Sequence, residues 1–180
     1  SKESNAKLGT TTLKLSNGAT VVYKKTDFKE DEIVFTARSL GGCSVASDAD
    51  FVKAQFVFPA LSEAGVNGFS KTDITNYLAG KQVSVSPFIG NLTEGVNGKT
   101  TNKDLGTALE LIYSYFTGLN YDPASFTAYK DKQSAMTANM LSNPQFYLSN
   151  EYSKFLQQKN PRFTNIITLC DDWAQADYKE

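Results

Sequence analysis

Residues 50–68 read DFVKAQFVFPALSEAGVNG, and the fold turns on how this stretch is taken. Phe51, Ala54, Phe58 and Leu61 recur at helical spacing, while Val52, Phe56, Val57, Ala60 and Ala64 fill most of the remaining surface. Only Lys53, Gln55, Ser62 and Glu63 are clearly polar. A helix apolar on nearly every side is buried, because no face of it gains by meeting water. It is too short and too interrupted to cross a bilayer. Asp48 or Asp50 is expected to cap its start, and Gly65 to end it in the left-handed region. Pro59 lacks an amide proton and crowds the carbonyl of Gln55, so a kink is expected there. Phe56 and Phe58 are expected in the core on different faces.

Working outward, the N-terminal side is strand-like. Residues 11–15 and 20–25 flank Asn17-Gly18, which predicts a hairpin through a type I′ turn with positive φ at both residues. Residues 32–38 alternate, with Ile33, Phe35 and Ala37 opposite Val34, Thr36 and Arg38. Both faces carry apolar bulk, so this third strand is expected in a sheet interior. Gly41-Gly42 ends it. Residues 1–10 are polar and read as a linker or remnant; the N-terminus itself does not bear on export.

On the C-terminal side, Ser70-Lys71-Thr72-Asp73 is a capping box opening a short helix with Ile74, Tyr77 and Leu78. Residues 82–88 form a strand that Pro87 marks as an end or an edge. Gly90-Asn91 turns the chain, and residues 92–99 return as a weaker, glycine-bearing strand. Asn91-Leu92-Thr93 matches a glycosylation sequon, which a turn and strand start explains equally well. Thr101 to Asp104 repeats the capping box. The next helix places Leu105, Ala108, Leu109, Ile112, Phe116 and Leu119 on one face. Asp122-Pro123 opens a helix to about Leu141 with Phe126, Tyr129 and Met136 inward. Asn143-Pro144 opens another, carrying Tyr147, Tyr152, Phe155 and Leu156, and Asn160-Pro161 ends it. Thr168 to Asp171 caps a last helix with Trp173. The order β-β-β-α-α-β-β-α-α-α predicts an α+β protein with a largely antiparallel sheet packed by helices.

Composition narrows the chemistry. The chain has 180 residues, 41% hydrophobic and 21% charged, a formal net charge of -1, and no histidine. That is an ordinary globular composition with a core of useful size. Lys24-Lys25 is the densest basic pair and reads as a solvated strand end, so nothing points to nucleic acid. Cys43 and Cys170 read more simply as two buried thiols than as a disulfide, and two cysteines alone cannot build a zinc site. Without imidazole, a serine or cysteine nucleophile lacks its usual activator. Gly41-Gly42 has neither the spacing nor the lysine of a phosphate loop. Glu63, Asp48 with Asp50, and Asp171-Asp172 are the carboxylates available for acid–base work, and capping accounts for most of them. The residues predict a domain with no catalytic, cofactor-binding or metal-binding site.

Two long stretches, LKLSNGATVVYKKTDFKEDEIVFTARSLGGCS (residues 13–44) and DITNYLAGKQVSVSPFIGNLTEGVNGKTTNKDLGTALELIYSYFTGLNYDPASFTAYK (residues 73–130), flank the apolar helix in a telling order. Strand, Asn-Gly, strand, a third strand ending in small residues, helix, short helix, hairpin and a D-L-x-x-A-L-x-L helix resemble the pitrilysin/insulinase family of zinc metallopeptidases. The resemblance spans about Thr11 to Asn143 and is nearest to the third of four domains in a single-chain, two-half member. It implies a LuxS/processing-peptidase-like metallohydrolase fold over residues 11–163, with 164–180 a terminal helix leading to the next domain. Active halves of the family carry H-x-x-E-H on the helix equivalent to residues 50–64, two histidines binding zinc and the glutamate activating water. Counting back from Gly65, that motif falls on Phe56-Val57-Phe58-Pro59-Ala60, and no slip of register supplies a histidine. Glu110 lies in the helix comparable to that of the family's third ligand, a role not transferable without the histidines. The resemblance therefore implies an inactive half that helps enclose a peptide substrate. Its partners would be other domains of a parent chain that holds the zinc elsewhere. A stand-alone assembly subunit related to processing peptidases is the alternative, and an independent carboxylate hydrolase a third.

Overall fold

The computed structural model describes residues 1–157, 160 and 162, without the side chains of Phe56, Val57, Phe58 and Leu61. The expected terminal helix over 164–180, with its cap at Thr168, Cys170 and Trp173, lies outside the described residues. So do the side chains of Phe56 and Phe58. The chain divides into two compact units, Ser1–Glu32 and Ile33–Glu180.

The first unit is a three-stranded antiparallel sheet, β1 (Lys2–Asn5), β2 (Thr10–Lys14) and β3 (Thr20–Tyr23), in the order β1-β2-β3. The opening residues thus hold a strand where their polarity suggested a linker. Pairing with β2 satisfies a strand's backbone whatever its side chains are. The β2–β3 hairpin forms, but not through a type I′ turn. The Gly18 amide donates to the Leu15 carbonyl at 3.1 Å and the Leu15 amide to the Ala19 carbonyl at 2.9 Å. Gly18 has φ 87, whereas Asn17 is not at positive φ. This is a three-residue loop, a type I turn closed by a left-handed glycine bulge. The Asn17 side chain caps it by accepting from the Ala19 amide at 3.1 Å.

The second unit contains β4 (Ile33–Leu40), a 3-10 turn at Gly42–Val45, α1 (Phe51–Ala64), α2 (Lys71–Leu78), β5 (Ser84–Ile89), β6 (Thr93–Thr100), α3 (Leu105–Thr117), α4 (Pro123–Leu141) and α5 (Pro144–Leu156). Its sheet runs β4-β6-β5, all antiparallel. β4 is therefore at an edge of its sheet, not in the interior, and Val34 and Leu40 are exposed at 72% and 87%. Apolar bulk on both faces overstated its burial; the glycine-bearing β6 takes the centre instead. There the missing side chains are filled by neighbours. A Cβ on Gly98 would lie 2.1 Å from the Phe35 ring, and one on Gly95 1.9 Å from the Ala37 carbonyl oxygen. Pro87 sits on the other edge strand, where its absent donor is tolerated.

Strand register sorts the sheet into two faces. Ile33 and Phe35 share a face with Val96, Thr100, Val85 and Pro87. α3 packs on β5 and β6, and α1 on β5, leaving Val96 and Thr100 buried. The opposite face presents Thr36, Arg38, Asn97, Lys99, Ser84 and Ser86 to solvent. α1 also packs against α2 and α4, and α4 against α5. Of its described side chains only Lys53 is exposed; Phe51, Ala60 and Ala64 are buried.

Two inner faces differ from expectation, and a third helix, α5, turns its apolar residues outward. On α3, Leu109 and Phe116 are exposed at 55% and 68%, while Ala108 is buried with Leu111, Ile112 and Tyr115 half-buried beside it. Ala108 has no bulk to hold the helix off the sheet, so the contact line centres on it. Leu119 falls beyond α3 and bridges to Val66. On α4, Met136 is exposed, with Phe126 and Tyr129 half-buried as expected. On α5, Tyr147, Tyr152, Phe155 and Leu156 are all exposed, and Asn150 is the buried residue.

Candidate functional site

The geometry around α1 decides what chemistry the fold can hold. Its start is tied by bonds that differ from the expected cap. Asp50 stands at the N-cap position without a capping bond; its carboxylate accepts from Ser47 Oγ at 2.6 Å. Asp48 pairs with Arg162 at 2.6 Å. The same guanidinium donates to the Ala46 carbonyl at 2.9 Å and stands 5.3 Å from the Phe51 ring centre. Each of these two carboxylates thus has a bonding partner of its own, Asp50 in Ser47 and Asp48 in Arg162. Arg162 escaped the sequence reading because its partners lie more than a hundred positions away, with no local pattern to mark them.

The helix is continuous through Pro59, and Ser62 Oγ donates to the Pro59 carbonyl at 2.8 Å. Its end is set by Gly65, with φ 85 and ψ -165. That is positive φ as expected, but with an extended ψ, a region essentially confined to glycine. A Cβ there would lie 2.0 Å from the Phe69 carbonyl oxygen. Asn120 locks the same turn. Its side-chain nitrogen donates to the carbonyls of Ala64 at 3.0 Å and Phe69 at 2.9 Å, and its oxygen accepts from the Gly68 amide at 2.7 Å. Asn120 also escaped the sequence reading, since Leu119-Asn120 reads locally as an ordinary connection.

Titratable groups gather on one flank of α1. Glu63 pairs with Lys71 at 2.6 Å. Tyr129 is half-buried, and desolvation followed by the negative charge of Glu63 raises its phenol above the usual value. Burial also raises Tyr115, partly opposed by Lys71. Both shifts favour the protonated phenol. Cys43 is buried, and desolvation pushes its thiol up, away from nucleophilic thiolate. Glu110 is exposed on α3. Asp171-Asp172 lies outside the described residues. An open hollow of about 600 Å³ on the first unit is lined by residues including Glu3, Ser4, Thr10, Thr12 and Val22.

Zinc is the metal the resembled family implies, and these residues do not fit it. Phe56, Val57, Phe58, Pro59 and Ala60 carry no side-chain donor for a divalent cation. Among the described residues no group of three or more histidine, cysteine, aspartate or glutamate side chains is placed to hold a metal. No step of water activation can therefore be derived on this helix.

Comparison with known proteins shows what this chain resembles. No family model matches the chain. A zinc protease PQQL-like protein of Arabidopsis thaliana is 32% identical over 110 residues, covering 61% of this chain and 9% of its own length. The periplasmic protease PqqL from Escherichia coli matches with a TM-score of 0.72 at 20% identity, over 95% of this chain and 19% of that one. A mutant of the ferredoxin protease FusC, solved in complex with Arabidopsis ferredoxin, matches with a TM-score of 0.75 at 17% identity, over 97% and 20%. A protease from Helicobacter pylori matches with a TM-score of 0.69 at 15% identity, over 94% and 41%. The resemblance to pitrilysin/insulinase-type zinc peptidases is carried by sequence and by fold. The architecture, mixed helix and antiparallel sheet, is the insulinase-like peptidase fold. This chain spans at most a fifth of the first three of these relatives. Among the described residues no helix is long and apolar enough to cross a membrane.

Proposed function

We propose that this chain is a non-catalytic structural domain of a longer zinc metalloendopeptidase, in which it helps enclose the peptide substrate. Residues 11–163 would form the domain, in the LuxS/processing-peptidase-like variant of the fold, and 164–180 would lead to the next one. The zinc and the general base would sit in another half of the parent. One observation carries the reading: the buried helix is kept, while the five positions where the family's zinc motif falls are Phe, Val, Phe, Pro and Ala. A second supports it. α5 exposes Leu148, Tyr152, Phe155 and Leu156 at 69%, 60%, 78% and 57%, spaced along one side of the helix. Contiguous apolar surface of this kind marks a contact face, and other domains of the parent are the occupants this reading supplies. Reacting groups must be positioned closely for catalysis, so a missing wall of the chamber is costly.

The test is peptide hydrolysis and zinc content of the parent with and without residues 11–163. Loss of hydrolysis with zinc retained is expected. Full turnover by a folded deletion variant, or zinc-dependent hydrolysis by this chain alone, would overturn the proposal.

A further inference from the structure

Three Asn-Gly pairs occur in the chain, Asn17-Gly18, Asn67-Gly68 and Asn97-Gly98, and the fold places them in three different settings. Asn-Gly is the dipeptide most open to attack of a backbone nitrogen on the preceding side-chain amide, since glycine offers no Cβ to hinder the approach. Reaction needs the glycine nitrogen to leave its hydrogen bond and the backbone to rotate about the asparagine.

At Asn97-Gly98 both movements are blocked. The pair lies in the central strand, between Thr36-Phe35 of β4 and Ser86-Val85 of β5. Thr36 Oγ1 donates to Asn97 Oδ1 at 2.8 Å, and the Phe35 ring covers Gly98. At Asn67-Gly68 the backbone is pinned at each end. The Asn67 amide donates to the Gly118 carbonyl at 2.6 Å, and the Gly68 amide to Asn120 Oδ1 at 2.7 Å. The Asn67 side-chain nitrogen, the leaving group, donates to Ser114 Oγ at 2.7 Å.

Asn17-Gly18 is held far less. Both residues are exposed at the tip of the β2–β3 hairpin, and a single bond to Leu15 engages the Gly18 nitrogen. A Cβ on Gly18 would meet nothing within 4 Å, and the same holds at the equally exposed Asn67-Gly68, so what separates the two sites is the tethering of Asn67 at its backbone and side-chain nitrogens. The Ala19 amide already donates to Asn17 Oδ1 at 3.1 Å. That donor is aimed at the oxygen on which negative charge develops when the carbonyl carbon is attacked.

The geometry points to Asn17 as a site of structure-directed deamidation, at which Asn67 and Asn97 are protected. The Gly18 nitrogen, giving its proton to solvent base, bonds to Asn17 Cγ. The bond from Cγ to the side-chain nitrogen breaks and ammonia leaves. Water then opens the cyclic imide at either carbonyl, giving aspartate or isoaspartate, so the balance is one water in and one ammonia out. The product adds a negative charge to the hairpin tip. Isoaspartate also lengthens the backbone by a methylene, which the Leu15–Gly18 turn cannot absorb.

The experiment ages the folded protein at mildly alkaline pH and reads each site by peptide mass mapping and by enzymatic isoaspartate methylation. A parallel sample is aged in urea. Asn17 is expected to convert at least about tenfold faster than Asn67 or Asn97 in the folded protein, given their additional hydrogen bonds. In urea the three sites converge. Gly18→Ala, whose methyl group has free space although the positive φ strains it, is expected to slow conversion at Asn17 alone. Equal rates at Asn17 and either other site in the folded protein would overturn the inference. So would an unchanged ranking in urea, or undiminished conversion at Asn17 in Gly18→Ala.

Discussion

Single residues set the ends of elements here, and their effects are separable. Gly65 combines a glycine-only backbone conformation with a Cβ position inside the Phe69 carbonyl. Gly65→Ala is expected to cost at least about 1–3 kcal/mol from conformation alone, before the clash is counted. Urea melts measure it, and a loss within error of zero would show that the turn can relax. Asp73 is the clearest pH-linked residue. The hydroxyl of Ser70, and then its amide, hold the carboxyl below its ordinary 3.8. A carboxyl depressed in the folded state stabilises above its unfolded pKa, and that stability is lost as pH falls through the folded value. Asp73→Asn should therefore flatten the dependence of stability on pH below about 4 and leave the neutral-to-alkaline range parallel to the parent. Melts across the acid range check this; an unaltered acid limb would refute it. Ser70 and Asp73 were readable from their spacing because a capping box is local, and the structure shows both reciprocal bonds. The Thr101–Asp104 pair behaves differently. Thr101 Oγ1 accepts from the Asp104 amide at 3.2 Å, but the helix begins only at Leu105. The Asp104 carboxylate instead accepts from the Gln82 amide at 2.9 Å, a partner no local pattern reveals.

At the scale of elements, α1 is where pattern and burial agree best. Phe51 is 5% exposed, next to the Arg162 guanidinium. Phe51→Ala is expected to cost about 3–5 kcal/mol, as deletion of a buried ring in a close-packed setting does. A denaturant midpoint within about 1 kcal/mol of the parent would mean that the helix is not seated as described. The proline starts of α4 and α5 match their expected positions. The Asp122 side chain accepts from the Ala124 amide and that of Asn143 from the amides of Gln145 and Phe146. Proline at the first helical position needs no donor and has its φ already set, so such starts depend on little beyond their own few residues. Inner faces were less legible. Periodicity shows that α3 has an apolar stripe, but its apolar residues extend around more than one side. Which side meets the sheet follows from the small Ala108 and from the partner surface.

For the whole molecule, size distinguishes the two units. Thirty-two residues in three strands bury too little apolar surface to fold alone, since small chains cover a small fraction of their area. Its exposed Val22, Tyr23 and Leu8 agree with that. A peptide of residues 1–32 is expected to show no cooperative thermal transition by circular dichroism; a sigmoidal melt would contradict this. On the proposed function, the exposed faces of α3 and α5 would meet other domains of a parent chain, and deletion of residues 11–163 is the measurement that tests it. What the sequence by itself determined was whatever depends on few neighbours. That covers the helix starts at Ser70, Asp122 and Asn143, the Asn-Gly hairpin, the apolar α1, and the absence of imidazole from positions 56–60. Tertiary structure alone decided the central place of β6, the edge position of β4, the outward stripe of α5, and the Asp48–Arg162 and Asn120 ties. The physical reason is range: a cap or a turn is stabilised by groups a few residues away. Burial and long-range bonding are set by which surfaces meet, and one chain segment does not encode its partner.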